Sequence, residues 1–407
     1  MLMSIQSQSS GEQLYRFLRD TGSRLLANMV YTDSPGHQMH ELDYFLRKYL
    51  AHEIDRGITY YWIHRDSDIS RAMIEVFGDR FRNYNLVMVA DNDLFDMAAE
   101  ICRMVPELGV DVGLGHVRNS VIEREGTFIS PLNGRLHYIV TNDAVINANR
   151  TYYQLRSRTR DVDPWAEAKP AIDGPLADLI GTDGRDRIAA VHLRVHSGNA
   201  GFAMSPDMLS ASLAFLRDNG YRIVKVGTEP YPREFAAYGV VNYSESPLRC
   251  FKNDLAILAN ADISLINTSG LENVADVMNL PCVSFSNWPL TAVTYSKSTV
   301  VVPAVMLDAV RGRSLSFSEQ IMFYRSRPEY WESEKAAHYL QGDRFGASLP
   351  RSEELLAAVQ EALRLGEGDL ALTPLQERFK RLDAAGLMAV AESRVSDFFL
   401  QRYQHLI

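Results

Sequence analysis

Apolar positions along this chain follow two alternating rhythms. Short apolar runs bounded by polar residues fall at 85–90, 188–191, 221–226, 263–267 and 281–285. Weaker runs fall at 59–64, 137–141, 240–243 and 300–302. Runs of this length predict strands buried on both faces. Between them the spacing turns helical, over 12–30, 40–54, 70–77, 94–104, 206–219, 253–260 and 271–278. The first of these carries Leu14, Phe17, Leu18, Leu25, Leu26 and Met29, partly interrupted by Thr21-Gly22-Ser23. Three further helices are expected at 352–363, 375–383 and 395–403. Strands alternating with helices point to parallel sheets, and the regular second half to a doubly wound α/β domain.

Residues 156–175 break the rhythm. They hold alternating charges, Pro164, Pro170 and Pro175, and little apolar periodicity, so they read as a connector. A chain of 407 residues exceeds what one core comfortably serves. The division expected is 1–165, 166–370 and a C-terminal segment 371–407.

Candidate chemistry gathers at strand ends in the second half. His192 and Arg194 follow the run 188–191 at spacing two, so they share a strand face. The small-residue loop with Ser197 and Gly198 comes next, before a helix. Gly227 and Thr228, followed by Glu229, end a second strand. Asn267, Thr268, Ser269, Gly270 and Glu272 end a third and open a helix. In an open parallel sheet these C-terminal ends line one crevice, and a helix N-terminus there favours an anion. Plainer roles stay open: Ser269 as an N-cap, Glu272 as a carboxylate favoured by the helix dipole, His192 and Arg194 as loop anchors. Asn287-Trp288-Pro289 follows a buried strand, and its indole suits either stacking on a base or sugar, or packing. Arg249, Lys252, Arg311 and Arg313 add local positive charge. In the first half, His37 lies in a loop before a helix, with Glu41 one turn on, and is the first choice of general base. Asp91 and Asp93 are the alternative, and His64 and His116 are weaker.

Charge and motifs narrow the class. The net charge is -9 with no long basic tract, which argues against nucleic acid as a partner. Three scattered cysteines suit neither a disulfide framework nor zinc. The first residues lack a signal-peptide pattern, and no run of 18 apolar residues occurs. A cytoplasmic protein is expected, with peripheral membrane contact left open. No GxGxxG, Walker loop, GxSxG or HExxH is present, which lowers the odds of a dehydrogenase, a kinase, a serine hydrolase or a zinc protease. Asp91-Asn-Asp93 is a single weak match to a DxD triplet, so a metal-independent reaction with no resident cofactor is preferred.

The second half resembles a family of bacterial GT-B glycosyltransferases associated with surface-polysaccharide gene clusters. The resemblance rests on Val191-His-Leu-Arg194, the stretch 220–227, the stretch 254–259 and Asn267-Thr-Ser-Gly270. It continues through Leu280-Pro-Cys-Val, Asn287-Trp-Pro289, the stretch 312–319 and the tail 394–400, with a fainter match at Gly36-His37. The His-x-Arg strand end is also similar to that of GDP-fucose-dependent fucosyltransferases, although Val195-His196 stands where a second arginine often follows. The resemblance implies two Rossmann-like domains facing a cleft, with the donor held by the second and a last helix crossing back to the first. It implies a nucleotide-sugar co-substrate, slightly favouring a GDP-sugar, with Arg194 on the donor diphosphate and a saccharide or small-molecule hydroxyl as acceptor. A nucleotide-sugar epimerase on the same architecture, or a non-catalytic nucleotide-sugar-binding protein, is the alternative.

Overall fold

The computed structural model describes residues 9–26, 35–54, 57–63, 65–93, 142–166, 169–182, 187–194, 204–287, 294–325, 345–368, 370–384 and 386–407. The chain divides into two compact units, residues 1–140 with 154–168, and residues 141–153 with 169–407.

In the first unit, helices α1 (Ser9–Thr21), α2 (Pro35–Leu50) and α3 (Asp68–Phe81) accompany strands β1 (Arg24–Leu26), β2 (Thr59–Ile63) and β3 (Leu86–Ala90). The strands pair in parallel in the order β1-β2-β3. The helical spacing expected to run through residue 30 stops at Thr21. Gly22 turns left-handed at φ +62°, the Ser23 amide closes on the Leu18 carbonyl, and the chain leaves as β1. The breaker triplet therefore outweighs the apolar periodicity, and Leu25 is buried from a strand. Helix α3 starts before the sequence pattern does because the Ser67 hydroxyl caps the Ser70 amide. In β3 only Leu86 is fully buried, and Val87 to Ala90 are half-buried rather than enclosed on both faces. The expected helix at 94–104 and strand at 137–141 lie outside the described residues.

One buried carboxylate organises this unit. Asp43 accepts hydrogen bonds from Arg47 Nε at 3.2 Å and Trp165 Nε1 at 2.8 Å, and Arg156 Nε lies 3.6 Å away. The Trp165 indole is in turn packed edge-on by Phe77 and Phe81, with ring centroids 5.0 and 5.1 Å away. Two buried guanidinium groups thus share this carboxylate.

Helix α4 (Asn142–Arg158) belongs in part to each unit. The second unit continues with α5 (Gly174–Ile180), β4 (Arg187–His192), α6 (Ser210–Asp218), β5 (Tyr221–Lys225), α7 (Phe251–Ala259) and β6 (Ile263–Asn267). Then come α8 (Gly270–Val277), β7 (Cys282–Asn287) and β8 (Thr299–Pro303). These strands form a fully parallel sheet whose order is β12-β8-β7-β6-β4-β5, its last member being β12 (Arg394–Val395). Ile188 to Val191 and all of β6 and β8 are buried, as expected of strands covered on both faces. Each such aliphatic side chain is worth roughly 1.5–3 kcal/mol of transfer free energy. From β4 the chain moves through α6 to β5 on one side, then through α7 to β6 on the other. Right-handed crossovers put those two helices on opposite faces. The topological switch point therefore lies between β4 and β6.

A small antiparallel sheet, β10 (Arg313–Ser314), β9 (Val305–Asp308) and β11 (Phe345–Ser348), adjoins α9 (Phe317–Arg325). Helices α10 (Ser352–Glu367), α11 (Pro374–Arg381) and α12 (Asp397–Arg402) complete the described chain. Residues 371–407, set apart in the sequence, lie in the second unit. Two expected elements change. The run 240–243 makes a single bridge, Val224 to Val241, because it is too short for a ladder. The expected helix 395–403 begins as β12, with Val395 paired to Val301, and turns helical after Ser396. Among the described residues, no helix is long and apolar enough to cross a membrane.

Replacing Asp43 by Ala removes the buried carboxylate that Arg47 and Arg156 share. The expected loss is ~3–5 kcal/mol of unfolding free energy, read from the denaturant midpoint and slope.

Candidate functional site at the switch point

The crevice between β4 and β6 is bridged by a hydrogen bond from the Arg194 amide to Asn267 Oδ1, 2.9 Å long. Asn267 is 1% exposed, so this contact is made in the interior. The Arg194 guanidinium lies across the same gap. Its Nη1 is 3.5 Å from the Thr268 carbonyl, and its Nε is 3.6 Å from Glu229 Oε1. The side chain stays about one-third exposed, enough to meet a ligand. Beyond it α8 begins, and the Thr268 and Ser269 hydroxyls are buried without hydrogen-bond partners at that helix start. A cation beside Glu229, two unpaired hydroxyls and a helix N-terminus are groups whose chemistry suits anionic oxygen.

The floor of the crevice is a buried polar network around the turn that follows β5. His192, the last residue of β4, shares a 2.8 Å hydrogen bond between its Nε2 and Glu229 Oε2. Burial pushes the imidazole below its ordinary pKa, against the pull of Glu229. Burial alone would raise the Glu229 carboxyl, but its bond to His192 and the nearby Lys225 outweigh that and hold it below the usual carboxylate range. Lys225 is buried and donates to the carbonyls of Val226 at 2.7 Å and Glu229 at 3.3 Å. Burial brings its ammonium down to about 8. The Gly227 amide donates to Asp254 Oδ1 at 3.0 Å, and Arg249 Nη2 reaches Asp254 Oδ2 at 3.4 Å. Burial raises the Asp254 carboxyl to about 6, opposed by that amide and by Arg249.

Gly227 has φ +86°, and a Cβ there would stand 2.5 Å from His192 Cδ2 and 2.8 Å from Nε2. The position admits glycine alone, for both its conformation and its contact with the imidazole. The turn is thus clamped by His192, Lys225 and Asp254, and it presents Glu229 to Arg194.

The expected site residues therefore sort as follows. His192, Arg194, Gly227, Asn267, Thr268, Ser269 and Gly270 meet at the switch point, with His192 and Gly227 in its floor. Thr228 is exposed on the clamped turn. Glu272 is buried and accepts the Ser284 hydroxyl, so its carboxylate faces the sheet instead of the crevice. Asp276, one turn further on, is likewise turned inward and takes the Ser296 amide. Ser197, Gly198 and Trp288 lie outside the described residues. Asn287 ends β7, and His37 lies in the first turn of α2 rather than in a loop, but the side chains of both lie outside the description. Glu41 is buried, and Asp91 caps the Asp93 amide. Arg311 pairs with Asp308, and Arg313 forms a two-pronged bond with Glu319, both beside the small sheet. Lys225 and Asp254 were not singled out from the sequence as site residues. The available signal was a lysine inside the apolar run Ile223-Val-Lys-Val226. Among the described residues, no group of three or more His, Cys, Asp or Glu side chains is placed to hold a metal ion.

No protein-family model and no curated protein matches the sequence. Among solved structures, the chain is similar to the E. coli ADP-heptose LPS heptosyltransferase II, at 13% identity and TM-score 0.39, over 85% of this chain and 99% of that one. It is similar to the glycosyl transferase family 9 protein from Veillonella parvula, at 12% identity and TM-score 0.42, over 84% and 97%. The E. coli heptosyltransferase WaaC, solved with ADP, aligns at 15% identity and TM-score 0.36, over 69% and 91%.

Two outcomes test the clamp. Gly227→Ala should lower unfolding free energy by more than ~1 kcal/mol, because the methyl group collides with His192 in a left-handed turn. Asp254, with its folded pKa near 6 above the unfolded 3.8, binds its proton more tightly in the native state. Its stabilising effect is therefore complete below pH 3.8 and lost as pH rises through 6. Denaturation of the wild type and Asp254→Asn from pH 4 to 7 should show the wild type losing up to about 3 kcal/mol relative to the variant.

Proposed function

We propose that this chain is a glycosyltransferase that moves a sugar from a nucleotide-diphosphate donor to a hydroxyl acceptor without a metal. The observation that carries this reading is Arg194, fixed by Asn267 at the switch point and facing the unpaired hydroxyls at the start of α8. In the proposed reaction the bond between the anomeric carbon and the diphosphate oxygen breaks while the acceptor oxygen bonds to that carbon. Negative charge grows on the leaving diphosphate, and Arg194 with the amides and hydroxyls of Thr268, Ser269 and Gly270 stabilises it there. The acceptor proton passes to a base, for which His37 is the candidate. The sugar, the acceptor and a GDP-linked donor belong to the same proposal. So do a peripheral membrane contact and a cytoplasmic location.

The test begins with thermal shifts against GDP-, UDP-, dTDP- and CMP-linked sugars. Selective stabilisation by one of the three diphosphate-linked sugars is expected, since a ligand binding only the folded state raises its stability. Selective stabilisation by the CMP-linked sugar, a monophosphate, would overturn the diphosphate donor. With that donor, Arg194→Ala should cut turnover by ~tenfold or more at unchanged melting temperature. Near-normal turnover in the variant would remove Arg194 from the reaction. Product from donor alone, with no acceptor, would favour epimerisation.

A further inference from the structure

Strand β7 ends in an irregularity that the sheet itself does not require. Its ladder with β8 is regular from Cys282–Thr299 to Phe285–Val302, then shifts so that Asn287 faces Pro303. Ser286 is the extra residue, a β-bulge. It is held at φ +59°, in the left-handed region. Three other described non-glycine residues share that region, and two of them are asparagine, which tolerates it well. Serine does not, and glycine would relieve the backbone at once. Ser286 is also 3% exposed, and its hydroxyl is buried with no hydrogen-bond partner. A serine that is strained, buried and unpaired has no structural reason to keep its hydroxyl.

Register says where this residue stands. His192 is level with Ile266, and Ile266 with Ser284. Asn267 is level with Phe285. One step further along the three neighbouring strands come Arg194, Thr268 and Ser286. The contacts of Arg194 with Asn267 and Thr268 support the first half of that row. The row thus carries one guanidinium and two hydroxyls without partners, at the C-terminal edge of the sheet beside the switch point.

We infer that Ser286 is a ligand-binding residue of this site, its hydroxyl donating to an anionic phosphate oxygen of the nucleoside diphosphate, in line with Thr268 and Arg194. The left-handed bulge is the device that delivers the hydroxyl to the end of the sheet. This inference rests on the function proposed above.

Ser286→Ala removes only the hydroxyl and keeps the backbone strain, whereas Ser286→Gly removes the whole hydroxymethyl group and relieves that strain while keeping the bulge. Binding of GDP, UDP, ADP and dTDP is measured by calorimetry for the wild type and both variants, alongside melting temperatures. The wild type is expected to bind at least one of the four. Both variants should bind that nucleotide ~5–50-fold more weakly, the loss of one charge-assisted hydrogen bond. Ser286→Gly should melt at or above the wild-type temperature. Unchanged affinity in Ser286→Gly would overturn the role of Ser286 and leave the proposed function standing. So would a fall in its melting temperature with affinity intact, since the hydroxyl would then serve the fold. If the wild type binds none of the four diphosphates, this inference and the function beneath it both fail.

Discussion

The short bond between the Arg194 amide and the Asn267 side chain closes a gap that the parallel sheet leaves open by construction. Where consecutive crossovers depart in opposite directions, no loop covers the strand ends, and a crevice results. A buried amide side chain spanning that crevice fixes two loops to one another. It also sets the level at which Arg194 leaves its strand. The guanidinium, the start of α8 and the end of β7 then take their positions from the register of β4, β6 and β7. The clamp around Gly227 works from the other side. It spends three ionisable groups on a turn of a few residues, and the result is a fixed carboxylate next to the arginine.

Much of this was readable in the sequence because the parallel sheet writes a simple signature. Runs such as 188–191 and 263–267 are apolar throughout, as burial on both faces demands, and their polar successors mark the strand ends. The period of two placed His192 and Arg194 on one face, and the two sit within reach of the same Glu229 carboxylate. Their tasks differ, however. His192 serves the floor of the crevice, while Arg194 remains available at its mouth.

The misses share a cause: tertiary context decided between options that local pattern left equal. At 12–30 the apolar spacing continued past Gly22, and only pairing with β2 converts the second half into a strand. At 395–403 the same apolar residues serve first a strand and then a helix, since β8 offers an edge. Glu272 looked suited to a ligand because it opens a helix, but helix phase places it with Asp276 on the face turned to the sheet. Lys225 was hidden by a rule that is usually right, namely that an apolar run accepts no charge; here two backbone carbonyls receive the ammonium. Ser286 carries no mark at all, because nothing in its neighbours announces a left-handed serine.

Strand β12 has a consequence for biosynthesis. It pairs with β8 although the partners, Arg394 and Val300, are more than ninety positions apart. While a ribosome adds the intervening residues, β8 exposes a row of unpaired amides and carbonyls on an apolar strand. Such an edge invites pairing with another chain. The second unit therefore has a vulnerable interval during translation, which ends when two residues near the close of the sequence dock. Changes at Arg394 or Val395 would lengthen that interval, and their first effect would be on the yield of folded protein rather than on chemistry at the crevice.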